Sequence, residues 1–197
     1  MTRVTRPARS AEDSTVERIA TRVEGLVMSG TRLVAVDGPS GSGKSTLAGP
    51  LADRLRAPLV PIDDFVSWND FAGWWPRFEA QVLEPLLTGH DAVYQQRDWK
   101  GDEFGDRLGP WRRVPASPVV VIEGVTSSRR AVADRLACSV WVEAPAAVRL
   151  ERGLARDGED HREVWQKWMV EEAVFFERDG TRSRADFTTS GGADASS

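Results

Sequence analysis

The chemistry-bearing residues of this chain begin with a Gly-rich run, Gly38-Pro39-Ser40-Gly41-Ser42-Gly43-Lys44-Ser45-Thr46. It follows an apolar stretch, Leu33-Val34-Ala35-Val36-Asp37, and precedes a helix-forming stretch from Ser45 to Leu55. From Gly38 the pattern G-x-x-x-x-G-K-[ST] is matched at every fixed position, in the strand, loop and helix context that gives it meaning. Such a loop holds a triphosphate through successive backbone N–H groups, which glycine leaves open to close approach, and the helix N-terminus adds partial positive charge. Lys44 has the length to reach the outer phosphates, and the Ser45 hydroxyl suits the coordination shell of Mg²⁺.

Two carboxylate sites fall where a parallel sheet presents ligands, at the carboxyl ends of strands. Asp63 and Asp64 close the short run Leu59-Val60-Pro61-Ile62, and Glu123 closes Val119-Val120-Val121-Ile122. Asp63 can take the proton of an acceptor hydroxyl and reach a metal shell through water. The doubled aspartate also allows one of the pair to cap the following turn instead. Glu123 stands where a strand delivers a negative group toward Mg²⁺, with a loop-bonding role before Gly124 as the competing reading.

Arg149, Arg152 and Arg156 share one helix face by i, i+3 and i+7 spacing, and Arg162 follows. They suit a lid over phosphates, Arg152 and Arg156 foremost, or a solvated basic face paired with Glu151 and Glu159. Eight Trp stand against one Tyr, several of them between Trp68 and Trp111. Phe65, Trp68, Phe71, Trp74, Trp75 and Phe78 recur at helical spacing, followed by Arg97 and Trp99. Aromatic faces can stack on a planar base, although aromatics at this spacing also make ordinary core. Trp165, Trp168, Phe175 and Phe176 read as core, and His90 and His161 as isolated.

Strand and helix alternate along most of the chain, the pattern of an α/β domain with a parallel sheet covered on both faces. A leading helix is expected from Ser14, with Glu17 completing a capping box, through Leu26. Pro76 begins a helix toward Gly89, Ala92 to Gln95 forms a short strand, and residues 97–115 carry no assignment. Arg129 to Leu136 reads as a helix, Ser139 to Val142 as a buried strand, Pro145 to Arg156 as a helix, and Asp160 caps a last helix through Phe176. Residues 1–13 and 188–197 are expected to be disordered, leaving residues 14–187 as one domain.

The 197 residues, 41% of them hydrophobic and 28% charged, suit one soluble α/β domain. No apolar run approaches the roughly 20 residues of a membrane helix. The net charge of −4 argues against a general nucleic-acid binder. The single cysteine, Cys138, supports neither a disulfide framework nor a metal-binding set and fits a reducing cytoplasm.

Gly-Pro-Ser-Gly-Ser-Gly-Lys-Ser-Thr, then Asp63-Asp64-Phe65, Val121-Ile122-Glu123-Gly124 and Arg149-Leu150-x-Arg152-x-x-x-Arg156-Asp157 together resemble the uridine kinase-like branch of the P-loop kinases. The resemblance spans Leu33 to Asp186. It implies a three-layer P-loop kinase fold with a small lid and ATP bound by the loop. It further implies Asp63 as the base on a ribose 5′-hydroxyl, Glu123 assisting Mg²⁺, and Arg152 and Arg156 closing on the phosphates. Asp64, Phe65, Trp68, Arg97 and Trp99 fall on the acceptor side. There the sequence departs from the family: Val66 replaces the usual Tyr or His, and Arg97-Asp98-Trp99 stands where an aromatic-Asp-aromatic segment is general.

The expected activity is therefore transfer of the ATP γ-phosphate to a hydroxyl of a small molecule, a nucleoside such as uridine or cytidine in the first instance. A kinase for another metabolite or for a nucleoside monophosphate is the nearest alternative, with Arg77, Arg97, Arg107, Arg112 and Arg113 as candidate anion contacts. A non-catalytic nucleotide-binding regulator is the alternative of a different class. A GTPase is disfavoured because the one Asn, Asn69, is followed by Asp70 and forms no N-K-x-D motif. AAA-type machines are disfavoured because they need a second helical domain.

Overall fold

The computed structural model describes residues 11–71 and 73–191. Most of the expected disordered N-terminus, and residues 192–197 of the expected disordered tail, lie outside that range. Helix α1 (Ala11–Glu24) leads into strand β1 (Arg32–Asp37), and the phosphate loop joins β1 to α2 (Lys44–Leu55). Strand β2 (Leu59–Pro61) ends in a tight 3₁₀ turn, Ile62–Asp64. A helical segment over residues 75–87, α3, follows, then strands β3 (Ala92–Arg97), β4 (Leu108–Val114) and β5 (Val119–Glu123). Strand β6 (Leu136–Glu143), helices α4 (Ala146–Asp157) and α5 (Arg162–Asp179), and strand β7 (Phe187–Ser190) complete the fold.

The five-stranded sheet has the order β2-β5-β1-β6-β7, with every pairing parallel. Side-chain alternation along its strands builds two cores. Val34, Val36, Val121 and Val140 face α1 and α2, where Ile19, Val23, Leu47 and Leu51 meet them. Leu33, Ala35, Val120 and Ile122 face the other way, onto Phe78, Val82, Leu83 and Leu86 of α3 and Trp168 of α5. The expected three-layer α/β architecture is what forms. Among the described residues no helix is long and apolar enough to cross a membrane.

Several local expectations change. Helix α1 already runs through Ser14, so Ser14 does not cap it. α3 starts at Trp75 with Pro76 in its first turn, as expected, but widens into a π turn over Glu79–Leu83. Pro85 explains this: it has no N–H for the carbonyl four residues back, so the ladder slips by one residue. Residues 130–135 form a 3₁₀ helix rather than an α-helix. A 3₁₀ turn, Glu159–His161, precedes α5, so its N-cap is His161 and not Asp160.

Two strands were not read. β4 pairs antiparallel with β3, with Tyr94 opposite Arg112 and Gln95 opposite Trp111. Its sequence, Leu-Gly-Pro-Trp-Arg-Arg-Val, lacks apolar alternation and contains Pro110, which only an edge position tolerates. β7 overturns the expected disorder at Thr188–Ser190. Phe187-Thr188-Thr189 are strand formers, and they add to the β6 edge in register from Val140–Phe187 to Glu143–Ser190.

That last strand delivers Gly191 against the phosphate loop. Its N–H donates to the Glu143 carbonyl at 2.9 Å. A Cβ on Gly191 would stand 1.6 Å from the Ser42 carbonyl oxygen and 3.3 Å from Gly43 Cα. Gly191→Val should therefore displace the loop backbone, weaken nucleotide binding by about tenfold or more and lower the thermal unfolding midpoint. Titration of the variant with ATP checks this; wild-type affinity would mean that the loop does not depend on its contact with the C-terminal strand.

Candidate active site

The phosphate loop is fixed from beneath by the last residue of β1. Asp37 is fully buried, and its carboxylate accepts from the Gly38 N–H at 2.7 Å and from Thr126 N–H, Ser128 N–H and the Ser128 hydroxyl at 2.8 Å each. Burial pushes its pKa upward, and the Ser128 and Gly38 donors pull it back. Gly38 has φ +142, and a Cβ there would lie 2.0 Å from the Val142 carbonyl oxygen. The demand for glycine at this position thus comes from the neighbouring strand β6 as well as from the ligand.

From the other side α4 and α5 hold Ser40. Its N–H donates to Glu172 Oε2 at 2.9 Å, its hydroxyl accepts from Trp168 Nε1 at 2.8 Å, and its carbonyl accepts from Arg149 at 3.2 Å. Glu172, 1% exposed, also pairs with Arg149. Lys44, at the start of α2, donates to the Pro39 carbonyl at 3.0 Å, and Arg152 to the Gly41 carbonyl at 3.2 Å.

The loop forms one wall of a cavity of about 510 Å³. Ser40, Gly41, Gly43, Lys44, Ser45 and Thr46 line it with Asp63 and Glu123, and Arg152, Gly153, Arg156 and Asp157 of α4, Trp165 and Trp168 of α5, and Val66, Trp68, Trp99 and Glu103 share the lining. The expected phosphate-side residues are therefore brought together with Asp63. Asp63 is exposed to the cavity, and among the described residues none gives its side-chain atoms a hydrogen bond, while Trp99 Nε1 holds its carbonyl at 2.8 Å. Glu123, aligned with both Val36 of β1 and Pro61 of β2, lies between the two strand ends.

Burial pushes the Glu123 carboxyl up to about 7, against the pull of Lys44 and the Ser45 hydroxyl and with the help of the Asp63 charge. A buried carboxylate beside a second carboxylate is short of positive charge. Ser45, Glu123 and Asp63 are hard oxygen donors of the kind Mg²⁺ takes from a protein while phosphates and water supply the rest. Among the described residues no group of three or more His, Cys, Asp or Glu is placed to hold a metal by itself. The donor set thus fits a nucleotide-borne Mg²⁺.

The acceptor-side expectations divide. Trp68 and Trp99 line the cavity, and Trp68 meets Trp99, Trp165 and Trp168 edge-on at centroid distances of 6.2, 5.9 and 5.4 Å. Asp64, Phe65 and Arg97 do not line it. Asp64 turns into the base of the β3-β4 hairpin, where Tyr94, Gln96 and Arg112 bind it at 2.7, 3.0 and 3.0 Å. Phe65 is core against Phe78 and Tyr94. Arg97 is buried, gives its N–H groups to the carbonyls of Asp98, Asp102 and Arg107, and lies over the Trp99 ring at 5.1 Å. Of the arginine row, Arg152 and Arg156 reach the cavity, Arg149 braces Ser40, and Arg162 pairs with Glu159. Arg156 pairs with Asp157 at 2.8 Å, which raises its pKa.

Sequence reasoning missed Asp37, Glu172 and Glu103, read Trp165 and Trp168 as core alone, and set His161 aside although it pairs with Glu103. Asp37 carried the signal that marked Glu123, a carboxylate ending an apolar strand. Glu172 carried none, being one of several acidic residues on α5.

A family model described as an AAA domain matches residues 34–171. The match runs from β1 through the phosphate loop and both carboxylate turns into α5. Among solved structures, a possible uridine kinase from Bacillus stearothermophilus is similar at 19% identity and TM-score 0.68, over 89% of this chain and 97% of that one. A candidate fructose transport system kinase from Silicibacter sp. TM1040 is similar at 23% identity and TM-score 0.70, over 88% and 98%. D-glycerate 3-kinase from Cryptococcus neoformans is similar at 14% identity and TM-score 0.60, over 93% and 92%. At these identities the likeness is one of fold alone. No curated protein matches the sequence.

The Glu123 environment has a consequence for stability. A folded-state pKa of about 7 lies above the ordinary 4.5, so the protonated carboxyl favours folding at low pH and that contribution is lost as pH rises through 7. Glu123→Gln, neutral throughout, should stabilise nucleotide-free protein at pH 8 by up to about 3 kcal/mol, show no such gain near pH 4, and weaken Mg²⁺-dependent nucleotide binding. Thermal unfolding at the two pH values, with and without Mg-ATP, checks it. Equal midpoints at pH 8 would remove the desolvation argument.

Proposed function

The chain belongs to the AAA domain family matched over residues 34–171, and from that premise we propose that it is an ATP-dependent kinase that phosphorylates a hydroxyl of a small-molecule acceptor. The observation that carries the reading is that Asp63, with no side-chain hydrogen bond among the described residues, opens into the same cavity as Lys44, Ser45, Arg152 and Arg156. A nucleotide-binding module needs the four phosphate-side groups. It has no need of an uncommitted carboxylate beside them. A kinase does, because the acceptor oxygen must lose its proton as it forms a bond to the γ-phosphorus.

In this reading the backbone of residues 38–46 and the N-terminus of α2 hold the ATP phosphates. Lys44 leaves the Pro39 carbonyl for the outer phosphates, and Arg152 and Arg156 offset charge on the oxygens of the group in transfer. Asp63 accepts the hydroxyl proton; the acceptor oxygen bonds to the γ-phosphorus, the bond to the bridging oxygen breaks, and ADP leaves with that electron pair. Bound Mg²⁺ supplies neutralisation of phosphate charge, and Ser45, Glu123 and Asp63 are the residues that would hold it. The indole walls suit an acceptor with a flat or apolar face, and the motif resemblance favours a nucleoside such as uridine or cytidine. The similar proteins described as fructose transport system and glycerate kinases make a sugar or a small hydroxy acid the neighbouring possibility.

The test is ADP release from Mg-ATP across nucleosides, sugars and hydroxy acids. Asp63→Asn should leave ATP binding within a factor of about two while turnover falls on the order of 10² or more. Lys44→Ala should lose nucleotide affinity and turnover together. Tight ATP binding with no acceptor-dependent ADP release would favour a nucleotide-binding regulator, and full turnover by Asp63→Asn would remove Asp63 as the base.

A further inference from the structure

The last turn of α4 holds an ion pair that local structure does not account for. Arg156 and Asp157 are consecutive, and consecutive residues of a helix do not ordinarily face each other. A carboxylate in a final turn also opposes the helix dipole. Yet Asp157 Oδ1 accepts from Arg156 Nε at 2.8 Å and Oδ2 from Arg156 Nη2 at 2.9 Å, a two-point grip on one edge of the guanidinium.

The cause is Trp165 of α5. Its indole N–H donates to the same Oδ2 at 2.9 Å, and the residue is 1% exposed, so the N–H needs that acceptor. Gly153, one turn before Arg156 and on the face it shares with Asp157, makes room for the ring: a Cβ there would stand 2.3 Å from Trp165 Cε2 and Cζ2. Burial opposes ionisation of Asp157, and the Arg156 and Trp165 donors more than offset it, so its pKa lies below the ordinary value. The Asp157 side chain is 21% exposed against 65% for Arg156. The carboxylate is thus the fixed partner and the guanidinium the one being held.

The held group also has somewhere to act. A guanidinium carries donors on more than one edge, and the grip on Nε and Nη2 leaves the Nη1 edge for a ligand. Arg156 lies over the Trp165 ring at 5.7 Å, and both line the cavity with Lys44 and Asp63. The Asp157 hydrogen bonds, and then the charges of Asp157 and Asp63, keep the Arg156 pKa above its ordinary value against burial. A cation that feels the Asp63 charge is close to the path of a group passing from nucleotide to acceptor.

Resting on the kinase reading, we propose that Asp157 is a positioning residue: with Trp165 as its anchor, it aims the Arg156 guanidinium at the γ-phosphoryl group of the bound nucleotide. Much of the rotamer freedom that a long, exposed side chain would lose on meeting a phosphate is then already lost in the free protein. An exposed pair of this kind contributes little to stability, so its effect falls on the phosphate it serves.

The test is calorimetric titration of the full chain with Mg²⁺ and either ADP or a non-hydrolysable ATP analogue, read as the ratio of the two affinities, with phosphoryl transfer assayed separately. Arg156→Ala should lower the wild-type preference for the analogue about tenfold. Asp157→Asn, which keeps an acceptor for Trp165 and loses the charge, should lower it about fivefold with the thermal unfolding midpoint unchanged. The double variant Arg156→Ala/Asp157→Asn should match Arg156→Ala alone, because the two residues act as one unit. Guanidinium chloride at millimolar concentration, far below denaturing levels, should restore the preference in Arg156→Ala and not in the double variant. Wild-type preference in Asp157→Asn would make Asp157 a partner of Trp165 only and overturn the proposal. Additive losses in the double variant, a guanidinium response indifferent to Asp157, or a wild-type chain that binds both nucleotides equally would overturn it too. Intact phosphoryl transfer beside any of these results would leave the kinase reading standing. The expected ratios without transfer to any acceptor would support the role of Asp157 while removing the kinase reading.

Discussion

The buried carboxylate of Asp37 is the constraint on which the rest of the site depends. It sits where the central strand of the sheet stops, and its four donors come from the first residue of the phosphate loop and from the turn after β5. Two loops that carry opposite sides of the site are thereby tied to one point. The turn that supplies three of the donors holds Thr126 at φ 65, a conformation a β-branched residue adopts only under external constraint. Arg129 provides that constraint. It donates to both the carbonyl and the hydroxyl of Thr126, and its guanidinium lies over Trp74 and Trp75 at 4.4 and 4.7 Å. Burial drives the Arg129 pKa down to about 10, so the cation stays charged at neutral pH and its aromatic neighbours act on a full positive charge. The aromatic run near residue 75 thus serves the site at a distance, through Arg129 and Thr126 to Asp37.

The second dependence runs from α4 and α5 to the loop. Glu172 and Trp168 of α5 and Arg149 of α4 all end on Ser40, so the helix that carries the cavity's arginines and its neighbour α5 are braced against the phosphate loop. A buried pair such as Arg149 with Glu172 contributes little net stability, since desolvation offsets attraction, yet removing one partner strands the other. Its value lies in geometry: it fixes how close α4 and α5 come to the phosphate loop. The side chain that must reach the outer phosphates is held more weakly. Lys44 rests on a carbonyl of the loop itself, a contact that phosphate oxygens would outcompete because both partners are then charged.

What the sequence made legible follows from range. The phosphate loop, the strand-end carboxylates and the arginine row are local patterns, in which spacing alone fixes direction once a strand or helix is recognised. The parallel sheet followed from their alternation. Contacts between distant segments were not legible. β4 exists because β3 offers an edge and Asp64 draws Arg112 across it, and β7 exists because β6 has a free edge; neither segment would be a strand by itself. Arg97-Asp98-Trp99 was legible as a unit beside the acceptor but not in its division of labour. Arg97 spends its donors on the hairpin loop, Asp98 pairs with Arg107, and Trp99 alone reaches the cavity and the Asp63 backbone. The reading of Trp165 and Trp168 as core was right about burial, and it overlooked that a buried indole can still form a cavity wall.

The charge layout explains why an acidic protein builds a phosphate site without a large basic patch. A triphosphate brings its own cation, so the protein needs carboxylates near the metal and cations only where the phosphate oxygens face it. Asp63 and Glu123 together with Lys44, Arg152 and Arg156 meet that need within one cavity. Without nucleotide the same arrangement is unbalanced, and the proton that Glu123 retains up to about pH 7 marks the imbalance. Binding of the metal nucleotide would release that proton and supply the missing charge, so nucleotide affinity should strengthen as pH rises toward neutrality. The site's electrostatic strain in the free protein and its selectivity for a cation-bearing ligand are then two consequences of placing a buried strand-end carboxylate beside Asp63.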